Sequence, residues 1–228
     1  MLKVIMTWAN YRLYAGIGRR AALLIVAACV LGTPLAQAAP AHPKLFGTTE
    51  IRSLNLEPFP KWTGMLDRYF DERTLAERPC ESTLLNPCYL EQWKRFLAGL
   101  ESKDRMTQLR EVNRYMNRKR YILDPINWGL PDYWASPFQF FRKEGDCEDY
   151  AIAKFISLRS LGFDNADLRI VVVNDLNLRI AHAILVVYLN NQALVLDNQV
   201  HQVVPADTIR HYEPIYSVNE ETWWLHRR

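Results

Sequence analysis

Gly145-Asp-Cys-Glu-Asp-Tyr-Ala-Ile-Ala-Lys154, continued by Phe155 to Leu161 and closed by Gly162, is the stretch on which the reading of this chain turns. It predicts a helix over 147–161. Asp146 is a good N-cap residue, and Asp149 three positions on completes a capping-box pattern. Ala151, Phe155, Leu158 and Leu161 supply an inner face, and Gly162 stops the helix as a C′ residue. The first residue of this helix is Cys147. Unpaired N–H groups and the helix dipole favour a thiolate there, and the same N–H groups can hold an oxyanion.

Downstream the period of the pattern changes. Leu168–Val173 is a β-branched run, Asn174–Asn177 reads as a turn, and 179–189 and 193–200 read as strands around the turn pair Asn190-Asn191. A last strand is expected at 215–218. If Asn190 and Asn191 are the two turn residues, His182 and Asp197 become diagonal neighbours on one sheet face, roughly 7–8 Å apart at the backbone. An Asp–His hydrogen bond can span that gap. A three-residue turn would put them on opposite faces. A lone strand histidine is more often a satisfied core residue, and a strand-end Asp more often a turn residue. The candidate catalytic set Cys147, His182 and Asp197 therefore rests on order and setting together. His201 is the nearest rival base.

Upstream, 39–60 reads as a proline-rich extended lead-in and 61–76 as a helix. Residues 77–89 read as a loop closed by a Cys80–Cys88 disulfide, and 89–100 and 102–121 as helices. Met106, Leu109, Val112 and Met116 recur at helical spacing and form a core stripe. Residues 125–145 read as an aromatic, proline-broken connection, with Trp134 a candidate donor beside the nucleophile. Helices first and an antiparallel sheet after them make the fold class α+β.

Lys3, Arg12, Arg19 and Arg20, with no acid, precede an apolar run from Ala21 to Leu31 and the small residues Ala36-Gln-Ala38. This is the pattern of a signal peptide over 1–38, with one domain over 39–228. It places the mature protein in the periplasm. A lipobox-like Val26-Ala-Ala-Cys29 is the rival reading. The full chain has 28 basic and 25 acidic residues. Without the four signal cations the balance is 24 to 25, so the apparent basicity is a targeting feature and gives no support to nucleic-acid binding. In an oxidising compartment, with Cys80 paired to Cys88, Cys147 is the odd thiol.

Asp146, Glu148 and Asp149 crowd that thiol, and carboxylates so placed raise a thiol pKa. They either cap the helix and sit well at its positive end or hold a cation. Hard oxygen ligands point to Ca²⁺ rather than a transition metal, and no Cys/His spacing fits zinc.

The Gly145–Lys154 string, with Leu158-Arg-Ser-Leu-Gly162, resembles the bacterial transglutaminase-like cysteine peptidases. Ala181-His-Ala-Ile-Leu185, Val195-Leu-Asp-Asn198 and Leu130-Pro-Asp-Tyr-Trp-Ala-Ser-Pro137 resemble the same family. The resemblance covers about residues 120–205. It implies a papain-like or transglutaminase-like fold, a Cys-His-Asp triad, and calcium dependence with Asp146 and Glu148 foremost as ligands. It also implies cleavage of a large surface adhesin near its N-terminus at a di-alanine site, releasing cells from a biofilm. An inner-membrane receptor for cyclic diguanylate is the implied inhibitor. A transglutaminase-type acyl transferase and an inactive receptor-docking module are the alternatives.

Overall fold

The computed structural model describes residues 42–75, Cys80 and 88–228. The expected signal peptide, its lipobox rival and most of the 77–89 loop lie outside the described residues. Cys80 and Cys88 do form a disulfide.

Three helices come early: α1 (Pro60–Leu75), α2 (Tyr89–Ala98) and α3 (Arg105–Met116). Leu109, Val112 and Met116 of the expected stripe are fully buried. The third helix is shorter than 102–121. Asp104 caps it, accepting from Thr107 N–H at 2.9 Å, so Ser102 and Lys103 stay outside. Residues 125–145 are not simply a connection. Asp124–Asn127 forms α4 and Pro137–Lys143 forms α5. The second is started by a capping box between Ser136 and Gln139 with Pro137 at its first turn, a start that suits proline because its missing N–H would be unpaired there anyway.

Helix α6 (Cys147–Ser160) forms as expected, with Asp146 and Asp149 in a reciprocal capping box and Gly162 at φ +80°. Ala151, Phe155, Leu158 and Leu161 are buried as expected, and so is every other residue from Asp149 through Leu158, so the burial extends beyond one inner face. It is the central helix of the domain, packed against α3, α5 and the sheet.

The sheet has seven strands in the order β1-β7-β6-β2-β3-β4-β5. They are β1 (Thr49–Ser53), β2 (Leu168–Asp175), β3 (Ile180–Leu189), β4 (Gln192–Leu196), β5 (Val204–Pro205), β6 (Tyr212–Val218) and β7 (Trp223–Arg227). Every neighbouring pair is antiparallel. Asn190 and Asn191 both have positive φ, 51° and 60°, which fits the two-residue turn that asparagine tolerates. Leu189 pairs with Gln192 and Leu185 with Leu196, the predicted register.

Other strand limits differ. β2 continues through Asn174 to Asp175, and the turn lies at 176–179, where Asp175 Oδ1 accepts from Asn177 and Leu178 N–H. β4 stops at Leu196 instead of reaching 200. Part of the lead-in becomes β1. It pairs with β7, which follows an Asx turn at Asn219. These two strands escape a periodicity reading because they are five residues long and are held by side chains distant in sequence. Arg169 lies 3.7 Å from the Trp224 ring and pairs with Glu50 at 2.8 Å.

Gly145 precedes the cap, and a Cβ there would overlap the Asp149 carboxylate. Gly145→Ala should therefore displace the capping box and destabilise the fold by about 2–4 kcal/mol. A denaturant midpoint equal to wild type would show that the close approach is not needed.

Candidate active site

Cys147 occupies the first turn of α6, is free and half-buried, and lines a cavity of about 700 Å³. His182 lies in β3 and Asp197 just beyond the end of β4. The hairpin register brings these two together: His182 Nε2 lies 3.0 Å from Asp197 Oδ1. Both side chains are buried, and His182 lines the same cavity as Cys147.

Asp197 is well supplied with donors. Oδ1 also accepts from Gln199 N–H at 2.9 Å, and Oδ2 accepts from the Tyr212 hydroxyl at 2.6 Å. Burial raises its pKa, but the hydrogen bond and charge of His182, then Tyr212 and Gln199, outweigh that and hold the carboxyl below the usual range. An ionised carboxylate can only accept. The proton of the His182 contact is therefore on Nε2, and Nδ1 is the nitrogen left with a lone pair.

The thiol is less prepared than its helix position predicts. Burial pushes the Cys147 pKa up, and the charge of Glu148 and a contact with it push further; the Ala183 N–H, which donates to the sulfur, pulls slightly the other way. The sulfur lies 3.2 Å from Glu148 Oε2. Burial and one adjacent carboxylate outweigh the helix dipole, whose effect on a side chain is typically 0.3–1 kcal/mol.

The acidic cluster is larger than its sequence suggests. Asp146, Glu148 and Asp149 are joined by Asp124, which is fully buried at the start of α4, and by exposed Asp132. Ligand atoms of Asp124, Asp146 and Asp149 lie within 4.8 Å of one another, and so do those of Asp124, Asp132 and Glu148. Burial, and then the neighbouring negative charges, raise Glu148 to about 9. Burial raises Asp124 to about 6, and Asp146 and Asp149 are raised from the same first cause. Asp149 is also committed to structure, accepting from Ala135 N–H at 2.7 Å and from Asp146 N–H at 3.4 Å. In contrast, Asp124 Oδ1 and Asp146 Oδ1 are buried with no hydrogen-bond partner among the described residues. Orphaned hard oxygens beside carboxyls that resist ionisation fit a hard divalent cation.

Trp134 is buried and lines the cavity, with its ring edge-on to Trp62 at 6.3 Å. Phe140 and Phe141 of the same aromatic segment pack in the core. Among the other histidines, His226 is buried between Thr48 and Ser217, and His201 is exposed.

The sequence model for the bacterial transglutaminase-like cysteine proteinases matches residues 83–226. The chain belongs to this family. Among solved structures, calcium-bound Legionella pneumophila LapG is similar at 32% identity and a TM-score of 0.59, over 69% of this chain and 87% of that one. EGTA-treated LapG from the same organism gives 31% and 0.60, over 70% and 86%. No curated protein sequence matches significantly. This proteinase is thus a cysteine peptidase of the LapG kind, with the mixed helix and antiparallel-sheet fold of that protein.

Sequence reasoning singled out neither Asp124, Tyr212 nor Lys154. Asp124 and Tyr212 carry no motif, and only the fold brings them to the site. Lys154 sits in the quoted helix string and could have been noticed as a cation at a helix position flanked by core residues. It is fully buried, its Nζ has no hydrogen-bond partner among the described residues, and burial lowers its pKa to about 7 against a weaker upward pull from Asp197. The sign of the linkage follows. Between about pH 7 and 10.5 the unfolded amine is protonated and the folded one is not, so stability rises with pH by at most about 1.4 kcal/mol per unit from this group. The penalty is greatest below pH 7. Lys154→Met should remove that rise and be more stable than wild type at pH 6 by about 1–3 kcal/mol. Urea unfolding at pH 6 and pH 9.5 measures both, and equal pH slopes in the two proteins would refute the assignment.

Proposed function

We propose that this proteinase is a periplasmic, calcium-dependent endopeptidase that cuts a large surface adhesin near its N-terminus at a di-alanine site, with Cys147, His182 and Asp197 as its triad. The observation that carries the triad is the His182–Asp197 bond on the wall of the cavity that also holds the Cys147 sulfur. The substrate, the release of cells from a biofilm and the restraint by an inner-membrane cyclic-diguanylate receptor are supported by the motif resemblance and by the likeness to LapG. The periplasmic location is supported by the signal-like N-terminus.

His182 Nδ1 takes the thiol proton, and the sulfur attacks the scissile carbonyl. Asp197 fixes the tautomer and stabilises the imidazolium that forms. The backbone N–H of Cys147, at the first turn of α6, is one donor for the oxyanion, and Trp134 on the cavity wall is the candidate for a second. The imidazolium then protonates the leaving amine, and water releases the acyl group. Ala181 and Ala183 flank His182 on the cavity wall, so a substrate main chain meets little side-chain bulk there.

Asp146 and Glu148, with Asp124 and Asp132, are the residues that would hold calcium, while Asp149 is chiefly the helix cap. Lys61 already pairs with Asp132; when bound, the ion would supply positive charge to the buried Asp124, Asp146 and Glu148.

Cys147→Ala should lose at least about 1000-fold of the cleavage of an adhesin N-terminal fragment, as removal of a nucleophile does. Mass spectrometry would show two fragments for a peptidase and cross-linked species for a transglutaminase. Undiminished cleavage by the variant would overturn the reading. Calcium should raise the melting temperature, and increasingly so from pH 5 to pH 8. The raised carboxyl pKa values mean that the metal-free folded state keeps protons the unfolded chain releases, so its stability falls as pH rises through that range. A melting temperature unmoved by millimolar Ca²⁺ at pH 8 would rule the ion out.

A further inference from the structure

Asp197 lies past the last residue of β4, so no strand ladder fixes it. Its main-chain carbonyl is held by Asn117 Nδ2 at 2.7 Å. Its two carboxylate oxygens are held differently. Oδ1 takes His182 Nε2 and the Gln199 N–H. Oδ2 takes the Tyr212 hydroxyl at 2.6 Å, a short charge-assisted bond.

Tyr212 comes from the first position of β6, which β2 and β3 separate from β4 in the sheet. The bond therefore ties the end of β4 to a strand three places away. Tyr212 is itself well anchored. Its backbone lies opposite Asp175 of β2, its ring is edge-on to Phe46 at 6.3 Å, and only 4% of it is exposed. The ring also stands 5.8 Å from the His182 imidazole. One side chain thus touches both members of the pair that prepares the nucleophile. Burial and then the charge of Asp197 push the phenol pKa upward, so the hydroxyl stays a neutral donor throughout the pH range in which a triad works.

We infer that Tyr212 is a positioning residue for the peptidase reaction: its hydroxyl locks the Asp197 carboxylate in the rotation that presents Oδ1 to His182, and its ring bounds the imidazole. Without that hydroxyl a buried carboxylate oxygen loses its donor. The carboxylate can then turn about its Cβ–Cγ bond toward other donors, and the Nε2–H tautomer of His182 is no longer enforced. The inference rests on the triad assignment above.

The test is the second-order rate at which iodoacetamide alkylates Cys147 at pH 7 in calcium buffer, read by peptide mass spectrometry, for wild type, Tyr212→Phe, Asp197→Asn and the double variant. Tyr212→Phe keeps the ring and should still fold, melting a few degrees below wild type because a buried carboxylate oxygen loses its donor, and should alkylate about tenfold more slowly, the loss of one hydrogen bond to a charged acceptor. Asp197→Asn should be at least as slow. Because Tyr212 acts through Asp197, the double variant should match Asp197→Asn within about twofold. Wild-type rates in Tyr212→Phe, or losses that multiply in the double variant, would overturn the inference. Wild-type rates in Asp197→Asn would instead sink the triad reading on which it rests. Should Asp197→Asn fail to fold, ¹⁵N spectra of His182 decide. Wild type should show the single Nε2–H tautomer and Tyr212→Phe a mixture, and identical spectra would refute the role of the hydroxyl.

Discussion

The Asp149 carboxylate ties down the first turn of α6, and the rest of the site depends on that tie. Asp149 accepts the Asp146 N–H in the capping box and the Ala135 N–H from the aromatic segment. One side chain thereby closes the helix start that carries Cys147 and holds the chain next to Trp134 against it. Gly145 is needed because any larger residue would occupy the space that this carboxylate fills. A capped helix end ordinarily adds only about 1 kcal/mol to stability. Here the cap also sets which way the nucleophile points.

Charge works against this arrangement. The helix start gathers Asp146, Glu148 and Asp149, and α4 adds Asp124 from the other side. At the surface these acids would suit the positive end of a helix. Buried together, they resist ionisation and raise the thiol pKa as well. Two of their oxygens, Asp124 Oδ1 and Asp146 Oδ1, have no hydrogen-bond donor among the described residues. Farther along α6, the buried amine of Lys154 also has no hydrogen-bond partner among the described residues, and Asp197 is the charge that acts on it. The two ends of the site are therefore unlike. At the helix end the buried acids outnumber the cation that meets the cluster, Lys61 paired with Asp132, and the sheet end is complete, with Asp197 ionised and held by His182, Gln199 and Tyr212.

The sheet end is complete because of register. The Asn190-Asn191 turn fixes Leu185 opposite Leu196, and from that pairing Asp197 follows on the side of His182. A slip of one residue would put the two on opposite faces. The strand stops one residue before Asp197, which frees its carboxylate to meet donors from outside the hairpin. Tyr212 and Gln199 reach it only for that reason.

The start, cap and stop of α6, the two-residue turn and the His182–Asp197 pairing were legible in the residues alone. Each depends on neighbours within a few positions or on a period of two, and short-range sterics and hydrogen bonding decide such features wherever they occur. The early helices were legible for the same reason, through their apolar spacing. What only the tertiary structure decided was everything assembled from distant parts of the chain. β1 with β7, the burial of α6 on all sides, Asp124 beside Asp146, and Tyr212 on Asp197 have no local pattern. Even the state of the Cys147 thiol belonged to this second group. Its position at a helix start argued for a lowered pKa and the flanking acids of the sequence for a raised one; burial, the largest cause, decides between them and is set by how the whole domain packs.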